Sequence, residues 1–143
     1  MNLRRCISRD QDGVATIEMA FALPILIVLI WMFVQFAQIY RAMAGIQQAL
    51  GEGARYATLC LNPTATGCAT PTTTQVKTKI SDSVYGIGPG TFTVSDPTTG
   101  NDGGTGFYYD LTVSYTQPTT LLLFPGPTIN VTRSKRVWIA SSS

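Results

Sequence analysis

The residues able to do chemistry are few and scattered. Among 143 residues there is no histidine, and the cysteines are Cys6, Cys60 and Cys68. Without histidine, neither a Ser-His-Asp nor a Cys-His arrangement can form, nor any His-containing zinc site. Three thiols also fall short of a four-cysteine site. The carboxylates past residue 40, namely Glu52, Asp82, Asp96, Asp102 and Asp110, are spread along the chain with no pairing visible. Asp96, Asn101 and Asp102 lie in DPTTGNDGGTG (96–106), whose spacing misses the EF-hand pattern and reads as a polar hairpin loop. A net charge of +2 is too small for a nucleic-acid footprint. These observations predict no catalytic residue, no metal, no cofactor and no nucleic-acid partner. One acidic residue, Glu18, stands in an unusual setting.

Glu18 lies within Val14–Tyr40 (VATIEMAFALPILIVLIWMFVQFAQIY), and from Met19 to Val34 there is neither a charge nor an amide. As a helix, residues 14–40 would rise about 40 Å, whereas a bilayer core of ~30 Å needs about 20 residues. A carboxylate at mid-depth costs on the order of 2.5–3.5 kcal/mol, less near the end. Glu18 is then either an interfacial acid stabilised by the helix N-terminus, worth ~0.3–1 kcal/mol, or a buried acid that pairs with a cation from another chain. Pro24 removes a helix hydrogen bond and crowds the carbonyl of Ala20, so it is either tolerated or marks a kink. Arg4, Arg5 and Arg9 before the span, with a nearly neutral stretch after it, predict a cytoplasmic N-terminus. A secretory signal peptide is the competitor. Against it stand the length of the run, Glu18 near its start, and a continuation that reads as more helix, although Ala42–Gly45 imitates a cleavage site.

The elements beyond the span follow from periodicity. Ile39, Met43, Ile46, Leu50, Ala54, Ala57 and Leu61 step by three or four residues, an amphipathic helix with Gln35, Gln38, Gln47 and Gln48 marking its polar positions. Gly45, Ala49, Gly53 and Ala57 form an i+4 ladder of small residues, suited to close packing against the chain's own outer part or against neighbouring subunits. Glu52 and Arg55 are spaced for a surface pair. Val76, Ile80, Val84 and Ile87 share one face of a short helix, ended by Gly86, Gly88 and Gly90. Strands are predicted at 91–95, 107–116 and about 128–140. In the last of these, Arg133 and Lys135 fall on the apolar face, which suggests a bulge or an exposed edge. In PTTLLLFPGP (118–127), the run Leu121, Leu122, Leu123 and Phe124 reads as a loop, either tucked into the core or open to the bilayer or a partner. The fold class is therefore α+β: a long N-terminal transmembrane helix, then a small head with a short helix and a three-stranded antiparallel sheet.

The string RDQDG-VATIE-MAFALP places Gly13 at the boundary of the apolar run, with Glu18 five residues later. It resembles the processing site of type IV pilin-like prepilins. More closely, GVATIEMAFALPILIVLIW with FAQIYRAMAGIQQALGEGARYA downstream resembles the TadE-like minor pseudopilins of tight-adherence pilus systems, over about residues 9–60. The resemblance implies cleavage between Gly13 and Val14 by a prepilin peptidase, and pairing of Glu18 with the new α-amino group of an adjacent subunit. It also implies other pilins, an inner-membrane assembly platform and membrane lipid as partners. The expected organisation is a cytoplasmic leader at 1–13, a membrane helix at 14–40, its amphipathic continuation at 41–61 and a periplasmic head at 62–143. The protein would be anchored in a bacterial inner membrane by a single span. In that topology Cys6 is discarded with the leader, while Cys60 and Cys68 are expected to form a disulfide in an oxidising compartment. The rival reading is a single-span envelope protein whose head binds a ligand or surface, without processing or filament assembly.

Overall fold

The computed structural model describes residues 4–60, 67–86, 88–104, 106–122 and 124–140; for residues 4–12 and 121 the backbone alone is described. Helix α1 runs from Arg4 to Ala57, α2 from Thr73 to Val84, and strands β1 to β4 cover Thr91–Val94, Thr98–Asn101, Phe107–Leu121 and Phe124–Ile139. Expectations placed on Leu61, Ile87 and Leu123 lie outside the described residues.

Helix α1 is one element from Arg4 into the head. It passes Gly13 and Pro24 as continuous helix. It stops at Ala57, four residues short of the expected end. There the Thr58 hydroxyl and N–H both turn back onto the carbonyls of Ala54 and Arg55 and close the last turn. The second helix begins earlier than its apolar periodicity indicates, because Thr72 and Gln75 form a capping box. The Gln75 N–H donates to Thr72 Oγ1 at 3.3 Å, and the Thr72 N–H donates to Gln75 Oε1 at 3.0 Å.

The sheet has four strands, not three. β3 is central, with β4 antiparallel along one side for its whole length. On the other side β1 pairs with residues 113–116 and β2 with residues 107–110. Strand β2 (TTGN) forms inside the segment read as a plain polar loop. Four residues without an apolar side chain, three of them exposed, carry no alternation by which a strand could be recognised. The second correction concerns PTTLLLFPGP. It is not a loop: β3 continues to Leu121, and β4 starts at Phe124 rather than near 128. The turn between them holds Leu122 at φ 46°, where a leucine costs about 1–2 kcal/mol relative to the right-handed region. Prolines 118, 125 and 127 disguised these strand ends, yet Pro125 and Pro127 lie on the edge strand β4 and Pro118 lies past Thr116, the last β3 residue paired with β1, so proline is tolerated at all three. The sheet's irregularity falls between Pro118 and Thr120. Around Arg133 and Lys135 the pairing is regular and both side chains are exposed, so the edge reading holds there. Cations on an open edge discourage sheet-to-sheet association.

The core lies between the sheet and both helices. On β3, Tyr109, Leu111, Val113, Tyr115 and Gln117 face inward, meeting Ala42, Ile46, Ala49, Leu50, Ala54 and Ala57 of α1 and Val76, Ile80 and Val84 of α2. Ile46, Ile80, Leu111 and Val113 are fully buried, each contributing roughly 1.5–3 kcal/mol. The small-residue ladder is consumed here: Gly45, Ala49, Gly53 and Ala57 are all buried within the chain's own core. Glu52 does not pair with Arg55 among the described residues; its Oε2 accepts the Ser83 hydroxyl of α2 at 3.0 Å.

Cys60 and Cys68 are joined, with their Cα atoms 5.5 Å apart. The bridge ties the end of α1 to the segment entering α2, where Tyr109 Oη also donates to the Pro71 carbonyl at 3.2 Å. Closing so short a loop restricts the unfolded chain by about 2–3 kcal/mol. Reduction, or the Cys60→Ser/Cys68→Ser pair of changes, is expected to lower the head's stability by that amount while leaving its far-ultraviolet circular dichroism unchanged. Urea unfolding of the full chain in detergent micelles measures it.

Candidate functional site

Among the described residues one helix is long and apolar enough to cross a membrane, and the apolar window within it is not covered by the rest of the protein. Every side chain from Val14 to Val34 is exposed. Such a surface is unfavourable in water, since it presents far more contiguous apolar area than a soluble monomer carries. It fits a protein anchored by a single span.

Gly13 sits at the start of this surface with no atom near the position a Cβ would take. Glu18 is exposed on the helix and makes no ion pair among the described residues. The described residues therefore supply that carboxylate with no cation.

The head does not begin where the apolar run ends. It reaches back along the helix, and polar side chains within the apolar run hold it there. Trp31 Nε1 donates to the Thr120 carbonyl at 2.8 Å. The Gln35 side chain brackets the same residue, donating to the Thr120 carbonyl and accepting the Thr120 N–H, the latter at 3.3 Å. Higher up, Gln38 Oε1 accepts from Gln117 Nε2 at 3.3 Å, and Gln117 Oε1 accepts the Tyr115 hydroxyl at 2.7 Å. That hydroxyl in turn accepts the Gly90 N–H at 3.0 Å. Gln117 is buried, so its amide has to find partners inside the protein. Gln35 and Gln38, read from sequence as polar surface markers, are half-buried; Gln47 and Gln48 are the exposed ones. Trp31, Gln117, Tyr115 and Thr120 were not legible as contacts. The available signal was a pair of glutamines three residues apart at the end of an apolar run, where an unpaired amide would be costly.

Between the helix and the lower hairpin lies a cleft of about 160 Å³ lined by Met32, Gln35, Phe36, Ile39, Thr119, Pro127 and Ile129. At the hairpin tip Leu122 is 47% and Phe124 70% exposed, which removes the reading of these two as tucked into the core.

The opposite face of the sheet carries a separate cluster. Arg136 makes paired 2.8 Å hydrogen bonds to both Asp110 oxygens and lies 4.0 Å over the Tyr108 ring, whose edge meets Trp138. The hydrogen bonds from Arg136 hold the Asp110 carboxyl below the usual carboxylate range. Their support is present at neutral pH and fades as pH falls through that lowered value. In the loop segment, Asp96 pairs with Lys77 at 2.7 Å, and the Asn101 and Asp102 side chains accept the N–H groups of Gly103 and Gly104. Those three groups are thus directed at separate local partners.

Together these features fit a single-span, membrane-anchored α+β protein, with the head clamped to the last turns of the apolar part of α1. Residues 13–55 match the family model described as TadE-like protein, a similarity confined to the helix. The match opens at Gly13, where the apolar surface begins. No curated protein and no solved structure matches the chain.

Proposed function

We propose that this protein is a minor pseudopilin of a tight-adherence pilus system, an assembly component without catalysis. The observation that carries the reading is the TadE-like match over α1, on a helix whose apolar surface from Val14 to Val34 its own head leaves open. A prepilin peptidase cuts between Gly13 and Val14, with the arginine-bearing leader on the cytoplasmic side and the head across the inner membrane. The mature helix then packs among the helices of other pilins at an assembly platform.

Glu18 is the residue that gives this packing its register. Cleavage creates an α-ammonium at Val14, and both this cation and the Glu18 carboxylate need partners in a low dielectric. Removing one member of such a pair costs several kcal/mol, because the other stays buried and unpaired. Geometry favours pairing between subunits. Val14 and Glu18 lie on one helix, about 6 Å apart along its axis, and the amine at the very end of that helix is open to a neighbour.

Intact mass and N-terminal sequence of protein isolated from membranes, with and without the peptidase, test the reading. A species beginning at Val14 only when the peptidase is present is the expected result. Full-length protein in both cases would leave a single-span anchor whose head binds something else. Glu18→Ala is expected to be cleaved normally and to lose co-assembly with other pilins by at least tenfold in crosslinking yield. Unchanged assembly would remove the charge-pairing role while leaving the processing intact.

A further inference from the structure

We infer that the β3–β4 hairpin tip is a second membrane contact, seated in the bilayer leaflet on the head's side, so that the protein is held at two points rather than one. The inference rests on the membrane anchorage of α1 and not on its processing.

The depth of the tip follows from its attachments. Gln117 meets α1 at Gln38, and Thr120 meets it at Trp31 and Gln35. Three strand residues advance about 10 Å, and so do seven helical residues, so β3 descends in step with the helix toward its N-terminus. Leu122, two residues further on, falls roughly one helical turn or more below Trp31. A hydrocarbon core of ~30 Å that starts at Val14 ends about 20 residues later, near Val34. The tip therefore lies below the level at which the hydrocarbon ends, at a depth typical of interfacial apolar elements.

The chemistry of the tip suits that place. Residues 111–132 carry no charge, whereas Asp110, Arg133, Lys135 and Arg136 stand at the far part of the same two strands. Leu122 is about half exposed and Phe124 largely so. A turn position at positive φ ordinarily suits glycine or asparagine, yet here it holds a leucine. Prolines 125 and 127 on the open edge of β4 have no N–H to leave unpaired in a medium that offers no hydrogen bonds. Trp31, with its ring on the apolar helix and its N–H on Thr120, marks the interface as tryptophans in membrane proteins do. The cleft of Met32, Phe36, Ile39 and Ile129 opens at the same level.

The test uses the full chain with Cys6→Ser, the Cys60–Cys68 bridge kept oxidised, in vesicles of phosphatidylethanolamine and phosphatidylglycerol. Leu122→Cys and Phe124→Cys are each labelled with bimane, and Ser134→Cys on the exposed outer sheet face serves as reference. Lipids bearing a shallow doxyl group are expected to quench both tip labels at least threefold more than the Ser134 label, while aqueous iodide shows the reverse order. In a separate Trp138→Phe chain, doxyl quenching of Trp31 confirms that the span is inserted. Tip labels as open to iodide as the reference would overturn the inference. So would labels that escape doxyl quenching and are shielded only when other pilins are co-reconstituted, since the tip would then be a protein contact. An unquenched Trp31 would overturn the anchorage and the inference with it, whereas a processing failure at Gly13 touches neither.

Discussion

Replacing Tyr115 by alanine is expected to destabilise the head by about 3–5 kcal/mol, the range for truncating a large aromatic in a packed core. The side chain is fully buried, its ring lies 4.6 Å from that of Phe92, and its hydroxyl links the Gly90 backbone to the buried Gln117. Two losses combine: a cavity opens between β3 and α1, and two polar groups lose their shared partner. Tyr115→Phe separates them. It keeps the ring and removes the hydroxyl, and is expected to cost about 1–3 kcal/mol for the unsatisfied groups left behind. The consequence for the clamp is specific. Gln117 also holds Gln38, so the phenylalanine variant should loosen the lower hairpin from α1 before it unfolds the head. Urea unfolding of the full chain in micelles gives the stabilities, and increased proteolysis near residues 117–127 reports the loosening. Equal unfolding midpoints for Tyr115→Phe and the parent would show that this hydroxyl chain contributes nothing.

Gly53→Val is expected to be the most damaging change on the helix, at about 2–3 kcal/mol. A Cβ on Gly53 would come within 2.3 Å of Ile80 Cγ1 and 2.7 Å of its Cδ1. Ile80 is fully buried and β-branched, so it has little room to give way. Gly51 is the internal control. No atom lies within 4 Å of its Cβ position, and Gly51→Ala should instead stabilise by up to ~1 kcal/mol through helix propensity. Two glycines two residues apart in one helix are thus expected to respond with opposite sign. Combining Gly53→Ala with Ile80→Ala, which removes both clashing carbons, should cost less than the two single changes added, a coupling that a double-mutant cycle in the same unfolding assay reads directly. Additive costs would mean that the helices separate rather than clash. The close approach matters beyond stability, because it seats α2 and the sheet on α1 and so sets the height at which the hairpin meets Trp31.

Much of this arrangement could be read from the residues. The apolar helix was legible because the run from Met19 to Val34 holds neither a charge nor an amide. The disulfide followed from placing Cys60 and Cys68 on the same side of a membrane. The inward faces of α1, α2 and β3 were legible wherever apolar residues recur with period 3.6 or 2, as at Ile46, Leu50, Val76, Ile80, Leu111 and Val113. Strand β2 was hidden because TTGN has no apolar residue to alternate. The ends of β3 and β4 were hidden because prolines and a run of leucines follow no strand period.

By itself, then, the sequence determined the long apolar helix, the α+β class and which faces are buried, since these depend on local periodicity and on the cost of placing apolar surface in water. Only the tertiary structure decided what each face meets. It assigned the ladder of Gly45, Ala49, Gly53 and Ala57 to the chain's own head, and turned Gln35 and Gln38 from surface markers into the clamp on Thr120 and Gln117. Those outcomes depend on contacts between residues some 80 positions apart, such as Gln35 with Thr120 and Gln38 with Gln117. No local pattern encodes such a contact, because the partner's height along the helix is set by the packing of every residue between them.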